Sequence, residues 1–202
     1  MKRILSILIC GLMVLPMASQ QKNATPTQKR STTVSQPKRT DFQFKIQWDA
    51  SFKKDGENNF YVVDFGRKSA HQLYMDVLSH IASIYRNPEY VTSKVEDRSI
   101  VINGYADEIT SFKNRYNHYY LVGLKYRLEL QFKDGKIRVD APTTIDVYAE
   151  SSSNINKYSE YASTTSGLYY MFEAKKTVLD DINKYINALI TAIVYGSKDN
   201  DW

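Results

Sequence analysis

The sequence predicts an α+β fold in which two main helices pack on one face of an antiparallel β-sheet. Asp134-Gly135, between two alternating segments, is typical of a tight β-hairpin turn. Two long segments, at about residues 69–85 and 173–195, carry apolar side chains at helical spacing. Because strands and helices do not alternate regularly along the chain, an antiparallel sheet fits better than a doubly wound one.

The first part of the domain predicts two strands, a helix and a hairpin. Residues 42–48 alternate apolar and polar side chains, and residues 59–65 form a second strand candidate. Ser69 can cap a helix that ends before Asn87-Pro88. The apolar stripe of this helix is Leu73, Tyr74, Val77, Leu78, Ile81, Ile84 and Tyr85. Residues 91–96 and 99–105 flank Asp97-Arg98 and predict a hairpin.

The hairpin around Lys133-Asp134-Gly135-Lys136 carries a prediction about strand register. Asp-Gly suits a type I′ turn, which has two central residues and fixes the pairing on either side. The pairs that follow are all apolar: Phe132 with Ile137, Leu130 with Val139, Leu128 with Ala141, Leu124 with Ile145, and Val122 with Val147. The opposite face carries charged and polar side chains, so we expect one face of the hairpin to meet solvent.

The last helix is predicted from about Glu173 to Tyr195, with Gly196 placed to end it. One side of it is apolar: Val178, Ile182, Tyr185, Ile186, Leu189 and Ile193. We expect this side to lie across the apolar face of the sheet.

The segment from Gly66 to Ala106 resembles a family of exported Bacteroidetes proteins catalogued as domain of unknown function 4468, which has a TATA-binding-protein-like (TBP-like) fold. The resemblance is carried by Lys68-Ser69 before the helix, Leu73-Tyr74 within it, and residues 96–101 leading to Asn103-Gly104. It covers about 40 residues of the chain. The resemblance implies a curved antiparallel sheet with helices on one face. It implies no activity, and a fold does not determine a function.

The N-terminus is predicted to be a cleavable secretory signal. Met1-Lys2-Arg3 precedes an apolar run to Met17, followed by Ala18-Ser19. That run is shorter than the ~20 residues that a bilayer-spanning helix needs, so we expect no transmembrane segment in the mature chain. Cys10 lies in the middle of the run after Ile9, which does not fit a lipoprotein signal. We therefore expect residues 1–19 to be removed near residues 18–20 and the protein to be periplasmic or secreted.

The charge distribution argues against a nucleic-acid partner. The net charge of +5 comes from the first 40 residues, which hold no acidic residue and seven basic ones: Lys2, Arg3, Lys22, Lys29, Arg30, Lys38 and Arg39. The remaining chain holds 20 basic and 22 acidic residues, so its net charge is −2. Residues 20–41 predict a disordered basic tether that can contact anionic surfaces weakly. Residues 42–198 then form one domain, and residues 199–202 a tail.

Candidate chemical groups do not assemble into a catalytic, metal or cofactor site at the level of sequence. His71 and His80 are nine residues apart, where a chelating helical pair would be four apart, and His118 stands alone. Glu129 and Asp140 face each other in the predicted hairpin, as the two carboxylates of a glycoside hydrolase would. Neighbouring arginines and the open sheet face favour a surface charge network instead. Ser151-Ser152-Ser153 lacks the glycines of a nucleophile elbow.

The most unusual feature of the composition is its 16 tyrosines. Five of them bracket a segment from Glu150 to Gly167 rich in Ser, Asn and Thr: Tyr148, Tyr158, Tyr161, Tyr169 and Tyr170. Tyr with Ser and Asn is the mixture that recognition loops use, although tyrosines packed on the rim of the sheet would give the same pattern. These residues predict a non-catalytic binding module of the cell envelope for an unknown protein or glycan. The alternatives are an envelope-polymer hydrolase using Glu129 and Asp140, and a structural subunit that assembles through the C-terminal helix.

Overall fold

The computed structural model describes residues 39–47, 49–113, 117, 119–151 and 175–196. Within these residues it contains the helices α1 (Ala70–Ile84), α2 (Pro88–Val91) and α3 (Lys175–Tyr195). The strands are β1 (Lys45–Ile46), β2 (Phe52–Lys53), β3 (Phe60–Asp64), β4 (Thr92–Val95), β5 (Ser99–Lys113), β6 (Tyr119–Lys133), β7 (Lys136–Asp140) and β8 (Thr143–Ser151).

Six strands form one antiparallel sheet in the order β3-β7-β6-β5-β4, with β8 also paired to β6. The first part of β6 pairs with β8, and its last four residues, Leu130 to Lys133, pair with β7. Strands β1 and β2 form a separate two-stranded sheet. The predicted α+β class with an antiparallel sheet is therefore confirmed.

Both long helices pack on the same face of the six-stranded sheet. Alternate residues of β6 are 5% exposed or less: Val122, Leu124, Tyr126, Leu128, Leu130 and Phe132. They share one apolar cluster with Leu73, Val77 and Ile81 of α1 and with Ile182, Ile186 and Ile190 of α3. We call the opposite side of the sheet the outer face; on β6 it carries Lys125, Arg127, Glu129 and Gln131.

Helix α1 begins as its sequence predicts. The Ser69 hydroxyl accepts a hydrogen bond from the Gln72 backbone N–H (3.2 Å), and the Gln72 side chain accepts one from the Ser69 N–H (3.0 Å). This reciprocal capping box satisfies two backbone donors that the first helical turn leaves unpaired. The buried face of α1, Leu73, Tyr74, Val77 and Ile81, matches the predicted stripe.

The Asp134-Gly135 turn forms the predicted two-residue connection, but it is not of type I′. Gly135 has a φ of 73°, whereas Asp134 is not among the residues with positive φ. Contacts with the chain before α1 hold the turn in this form. The Asp134 carboxylate accepts from the Ala70 N–H (2.9 Å), and the Gly135 N–H donates to the Lys68 carbonyl (2.7 Å). Long-range hydrogen bonds therefore decide the turn type.

The predicted register is confirmed near the turn and wrong farther away. Phe132 faces Ile137 and Leu130 faces Val139, as expected. Beyond that, Leu124 faces Val147 and Val122 faces Ala149, not Ile145 and Val147. The cause is that β7 ends at Asp140 and the β6–β8 pairing has an irregularity at Lys125/Tyr126, which shifts every later pair. Ile145 is 53% exposed as a result.

The segment around β1 is attached to α3 by two asparagine side chains. The Asn187 amide accepts from the Phe44 N–H (2.9 Å) and donates to the Phe44 carbonyl (2.8 Å). The Asn183 side chain accepts from the Ile46 N–H (2.7 Å). Among the described residues of the predicted strand 42–48, Lys45–Ile46 form regular strand, and the backbone of Phe44 is paired with the Asn187 side chain instead. Among the described residues, no helix has the length and apolar character needed to cross a bilayer.

On the core face, Tyr126 lies across Gly104, its partner on β5. Tyr126 is fully buried, and its hydroxyl is 2.6 Å from the Tyr85 hydroxyl at the end of α1. Burial raises the pKa of Tyr85 to about 12 and also raises the pKa of Tyr126. Both phenols are therefore neutral at any physiological pH, and each can offer the other a hydrogen bond.

We expect the stability of the domain to fall as the pH rises above about 10. Between the ordinary tyrosine pKa of 10.0 and the value of about 12 for Tyr85, the folded state holds protons that the unfolded state has released. The free energy of unfolding then decreases with pH. Urea unfolding at several pH values between about 9 and 11.5 should show this fall, and Tyr85→Phe should reduce it. Tyr90→Phe, at a residue 91% exposed, is the control and should leave the profile unchanged.

Candidate functional site

Of the five tyrosines predicted to form a binding surface, the structure describes Tyr148. Tyr158, Tyr161, Tyr169 and Tyr170 lie outside the described residues, as do Ser152 and Ser153. Tyr148 lies in β8 on the outer face but is only 3% exposed. It therefore acts as a packing residue within the outer face and cannot by itself meet a partner.

Gly123 explains how Tyr148 is buried on an otherwise open face. Gly123 is the cross-strand partner of Tyr148, and the Tyr148 ring lies directly over it. Because Gly123 has no side chain, the Tyr148 ring crosses β6 and its hydroxyl reaches β5. There the hydroxyl donates to the Ala106 carbonyl (3.2 Å) and to the Asp107 carboxylate. Tyr148 thus connects β8 to β5 across the intervening strand.

Tyr105, on β5, stacks against this fixed ring. The two ring centroids are 5.6 Å apart and the ring planes are inclined by 8°. Tyr105 is 52% exposed, so half of its surface faces solvent. The Lys125 ammonium lies 5.9 Å from the Tyr105 centroid and 5.7 Å from that of Tyr148. A cation at this range is attracted by the electron-rich ring faces and helps to hold the pair.

A bulge in β5 brings two carboxylates beside the stacked rings. The β5–β6 register is interrupted between Ala106 and Thr110, and Glu108 there has a positive φ of 52°. Positive φ is unfavourable for glutamate, and such backbone strain and bulges cluster at functional sites. The bulge forms one wall of a cavity of about 190 Å³. Its lining residues are Tyr105, Asp107, Glu108, Leu121 and Tyr148. We call these five residues the outer-face patch.

The patch is polar at its edge and aromatic at its centre. Burial, reinforced by the hydrogen bond to the Asp107 carboxylate, raises the pKa of Tyr148. The Tyr148 phenol therefore stays neutral and keeps donating to Asp107. Asp107 and Glu108 supply oxygen acceptors, and the exposed ring of Tyr105 supplies a flat apolar surface. This combination suits a neutral ligand that has both hydroxyl groups and an apolar face.

Glu129 and Asp140 are each engaged within their own strand. Asp140 accepts from the Arg138 guanidinium at 2.9 and 2.6 Å. Glu129 accepts from the Gln131 amide at 3.2 Å. Neither residue lines the cavity at the patch or the larger one beside α1. These contacts are those of a surface network on an open sheet.

The three histidines have different surroundings. His118 lies outside the described residues. The His80 Nδ1 is 3.0 Å from the Ile193 carbonyl, and the ring borders a cavity of about 250 Å³. The charged groups of that cavity, Lys68 and Asp76, are paired with each other at 2.7 Å. The contact with Ile193 indicates that His80 helps to pack α1 against α3.

His71 lies close in space to two carboxylates that are far from it in the sequence. Its Nδ1 is 2.8 Å from an Asp97 carboxylate oxygen, and Glu96 is adjacent. One ligand atom from each of the three residues lies within 4.8 Å of the others. The β4–β5 hairpin turn brings them together from 26 residues away. Sequence spacing within one helix cannot reveal a cluster of this kind.

Of the patch residues, Tyr148 is predicted from the sequence, whereas Tyr105, Asp107, Glu108 and Leu121 are not. In the sequence, Tyr105 is the last residue of the predicted strand 99–105, and Gly123 lies between the predicted core residues Val122 and Leu124. A glycine within a strand pattern marks a place where another group approaches the backbone closely. In the structure the Tyr126 ring lies over Gly104 and the Tyr148 ring over Gly123. The two glycines within predicted strands were therefore a sequence signal for these close approaches.

Comparison with known proteins adds one likeness. No family model matches the chain, and no curated protein matches it. Among solved structures, it is similar to the crystal structure of a TBP-like protein from Parabacteroides distasonis ATCC 8503. The two chains are 9% identical, with a TM-score of 0.49 over 69% of this chain and 91% of the other. A likeness of this kind says nothing about function, and the α+β architecture rests on the strand order and helices described above.

Proposed function

We propose that the protein is a non-catalytic binding module that recognises a glycan through the outer-face patch. The observation that carries this proposal is Tyr105, 52% exposed and stacked on the fixed ring of Tyr148 beside two carboxylates. A sugar ring has an apolar C–H face and a rim of hydroxyl groups. Stacked on Tyr105, it would place the hydroxyl groups within reach of Asp107 and Glu108.

The energetics favour a rigid aromatic anchor over a mobile one. Tyr105 is held by Tyr148 and Lys125, so little side-chain entropy is lost when a ligand stacks on it. Tyrosine contributes a large amphipathic contact at low entropic cost. The cavity of about 190 Å³ is smaller than the ~300–1,000 Å³ typical of enclosed small-molecule pockets. It therefore suits one sugar unit of a longer chain that runs across the open sheet.

Two other functions have less structural support. The hydrolase hypothesis requires Glu129 and Asp140 to flank a substrate, yet each is bound to a neighbour in its own strand. The assembly hypothesis requires an apolar surface on α3. The apolar side of α3 is instead buried in the core, at Val178, Ile182, Ile186, Ile190 and Ile193. Both hypotheses remain predictions, and the binding module is the one that the described geometry favours.

We further propose that the module acts outside the cytoplasm, because residues 1–19 have the pattern of a secretory signal. The protein isolated from its native cells should begin near residue 20 and carry no lipid. Intact-mass measurement decides this. A mass that includes Met1 to Met17, or an added diacylglycerol group, would contradict the proposal.

Tyr105→Ala should weaken glycan binding by ~10-fold or more, as expected for the loss of an aromatic anchor at the centre of a contact surface. The probe is the oligosaccharide that the wild-type chain retains on a glycan array, and isothermal titration calorimetry gives its Kd. Tyr90→Ala, at a tyrosine 91% exposed on α2, is the matched control and should leave the Kd unchanged. Equal binding by both variants, or no glycan retained by the wild type, would count against the patch.

A further inference from the structure

His71, Glu96 and Asp97 form a group whose chemistry differs from that of the outer-face patch. One nitrogen ligand and two carboxylates converge, with one ligand atom from each within 4.8 Å of the others. The side chains of His71 and Asp97 are 59% and 42% exposed. A solvated ion could therefore reach them without any rearrangement of the core.

The two elements that carry these residues are both fixed. His71 is in the first turn of α1, which the Ser69–Gln72 capping box and the Asp134 contact with Ala70 hold in place. Asp97 lies in the β4–β5 turn with a φ of 56°. That turn is secured by the hydrogen bond from the Arg98 N–H to Val95 and by the one from the Phe132 N–H to the Arg98 carbonyl. Because both backbones are held, the three residues lie within reach of one ion before it arrives.

We propose that His71, Glu96 and Asp97 bind a divalent first-row transition-metal ion of the Zn²⁺ class. Imidazole with carboxylates is a donor set that suits Zn²⁺, whereas Ca²⁺ and Mg²⁺ require oxygen ligands throughout. Ligands of tetrahedral zinc, at about 2.1 Å from the ion, lie roughly 3.4 Å apart. The ligand atoms of the three residues lie within 4.8 Å of one another. Glu96 is exposed, so a change of its rotamer can bring its carboxylate to the spacing that zinc ligands have. Three protein ligands leave a coordination position for water.

A bound ion would connect the start of α1 to the β4–β5 turn. It would neutralise two carboxylates that lie close to Tyr74, whose pKa is raised by burial and then by Glu96 and Asp97. Binding to the folded state alone stabilises it, so thermal unfolding gives a readout that needs no known activity. When the concentration of free Zn²⁺ is a hundred times its Kd, the Tm should rise by about 5–10 °C.

Zn²⁺ titrated calorimetrically into the EDTA-stripped chain, without a polyhistidine tag, tests the proposal. We expect one saturable site with a micromolar Kd, weakened at least ~10-fold by each of His71→Gln, Glu96→Gln and Asp97→Asn. Asn tolerates positive φ as Asp does, so the last variant keeps the turn. Glu89→Gln removes a carboxylate outside the group that is 87% exposed and is the matched control, expected within twofold of wild type.

Any one of four results would overturn the proposal. The first is the absence of saturable binding up to millimolar Zn²⁺. The second is binding that all three variants retain, which would place the ion elsewhere. The third is binding lost in His71→Gln but unchanged in Glu96→Gln and Asp97→Asn, which would mean a single surface histidine. The Zn²⁺-dependent rise in Tm should disappear in the same variants that lose binding, and a rise that persists in them would also contradict the site.

Discussion

Gly104→Ala should destabilise the domain by about 2–3 kcal/mol, the upper range for overpacking a buried site. An added Cβ at residue 104 would lie 2.1 Å from the Tyr126 ring, far inside contact distance. Tyr126 is fully buried and its hydroxyl is hydrogen-bonded to that of Tyr85, so its ring has no free space into which to move. In a domain of this size the loss corresponds to roughly 5–10 °C in Tm, measurable by differential scanning calorimetry.

A double-mutant cycle shows whether the Tyr126 ring is the cause. Tyr126→Ala alone should cost about 3–5 kcal/mol through the cavity that it leaves. In that background Gly104→Ala should add little, since the atoms with which it clashes are gone. Asn103→Ala, at the exposed neighbour on the same strand, should stay within about 0.5 kcal/mol of wild type. Additive costs in the cycle would show that the ring contact is not responsible.

Gly123→Ala should abolish the ordered arrangement of the outer-face patch and reduce glycan binding by ~10-fold or more. The new Cβ would lie 2.1 Å from the Tyr148 ring, which must then leave its place over β6. Tyr148 would lose its bond to Asp107, and Tyr105 would lose the ring on which it stacks. Calorimetric titration of the glycan that the wild type retains measures the effect.

Arg127→Ala is the matched control for this substitution. Arg127 is exposed on the outer face of the same strand, beyond the patch, so its removal should leave both Tm and Kd nearly unchanged. If Gly123→Ala lowers the Tm but the variant binds the glycan as tightly as wild type, the arrangement of Tyr148 is structural only, and the ligand surface lies elsewhere.

Local patterns predicted helix α1 well because its causes are local, whereas the short helix α2 was not predicted. The α1 stripe and the Ser69 cap depend on residues three and four positions apart, and both are present as expected. The hairpin at Asp134-Gly135 has the predicted two-residue connection for the same reason. Its turn type was wrong because Ala70 and Lys68, more than 60 residues away, bond to the turn.

Features set by long-range contacts were not predictable from spacing. The register of β8 depends on where β7 ends, just before Ala141-Pro142, and on the extra residue Ile145 in β8 at the Lys125/Tyr126 step of β6. The pairing of Phe44 with Asn187 joins residues 143 positions apart. Of the candidate tyrosines, Tyr148 is buried. The exposed ring that stacks on it is Tyr105, which was not among the candidates. The predicted register could not show that Tyr148 is covered, because it places Gly123 opposite Asp146, whereas in the structure Gly123 faces Tyr148.

The most direct test of the proposed function is to map the glycan contact by NMR. The oligosaccharide that the wild-type chain retains on a glycan array is titrated into ¹⁵N-labelled protein, and backbone shifts are followed residue by residue. The proposal predicts that the largest changes fall at residues 105–108 in β5, at 121–123 in β6 and at Tyr148 in β8. Changes confined to the helices or to the β3 edge, with the outer-face patch unaffected, would contradict it.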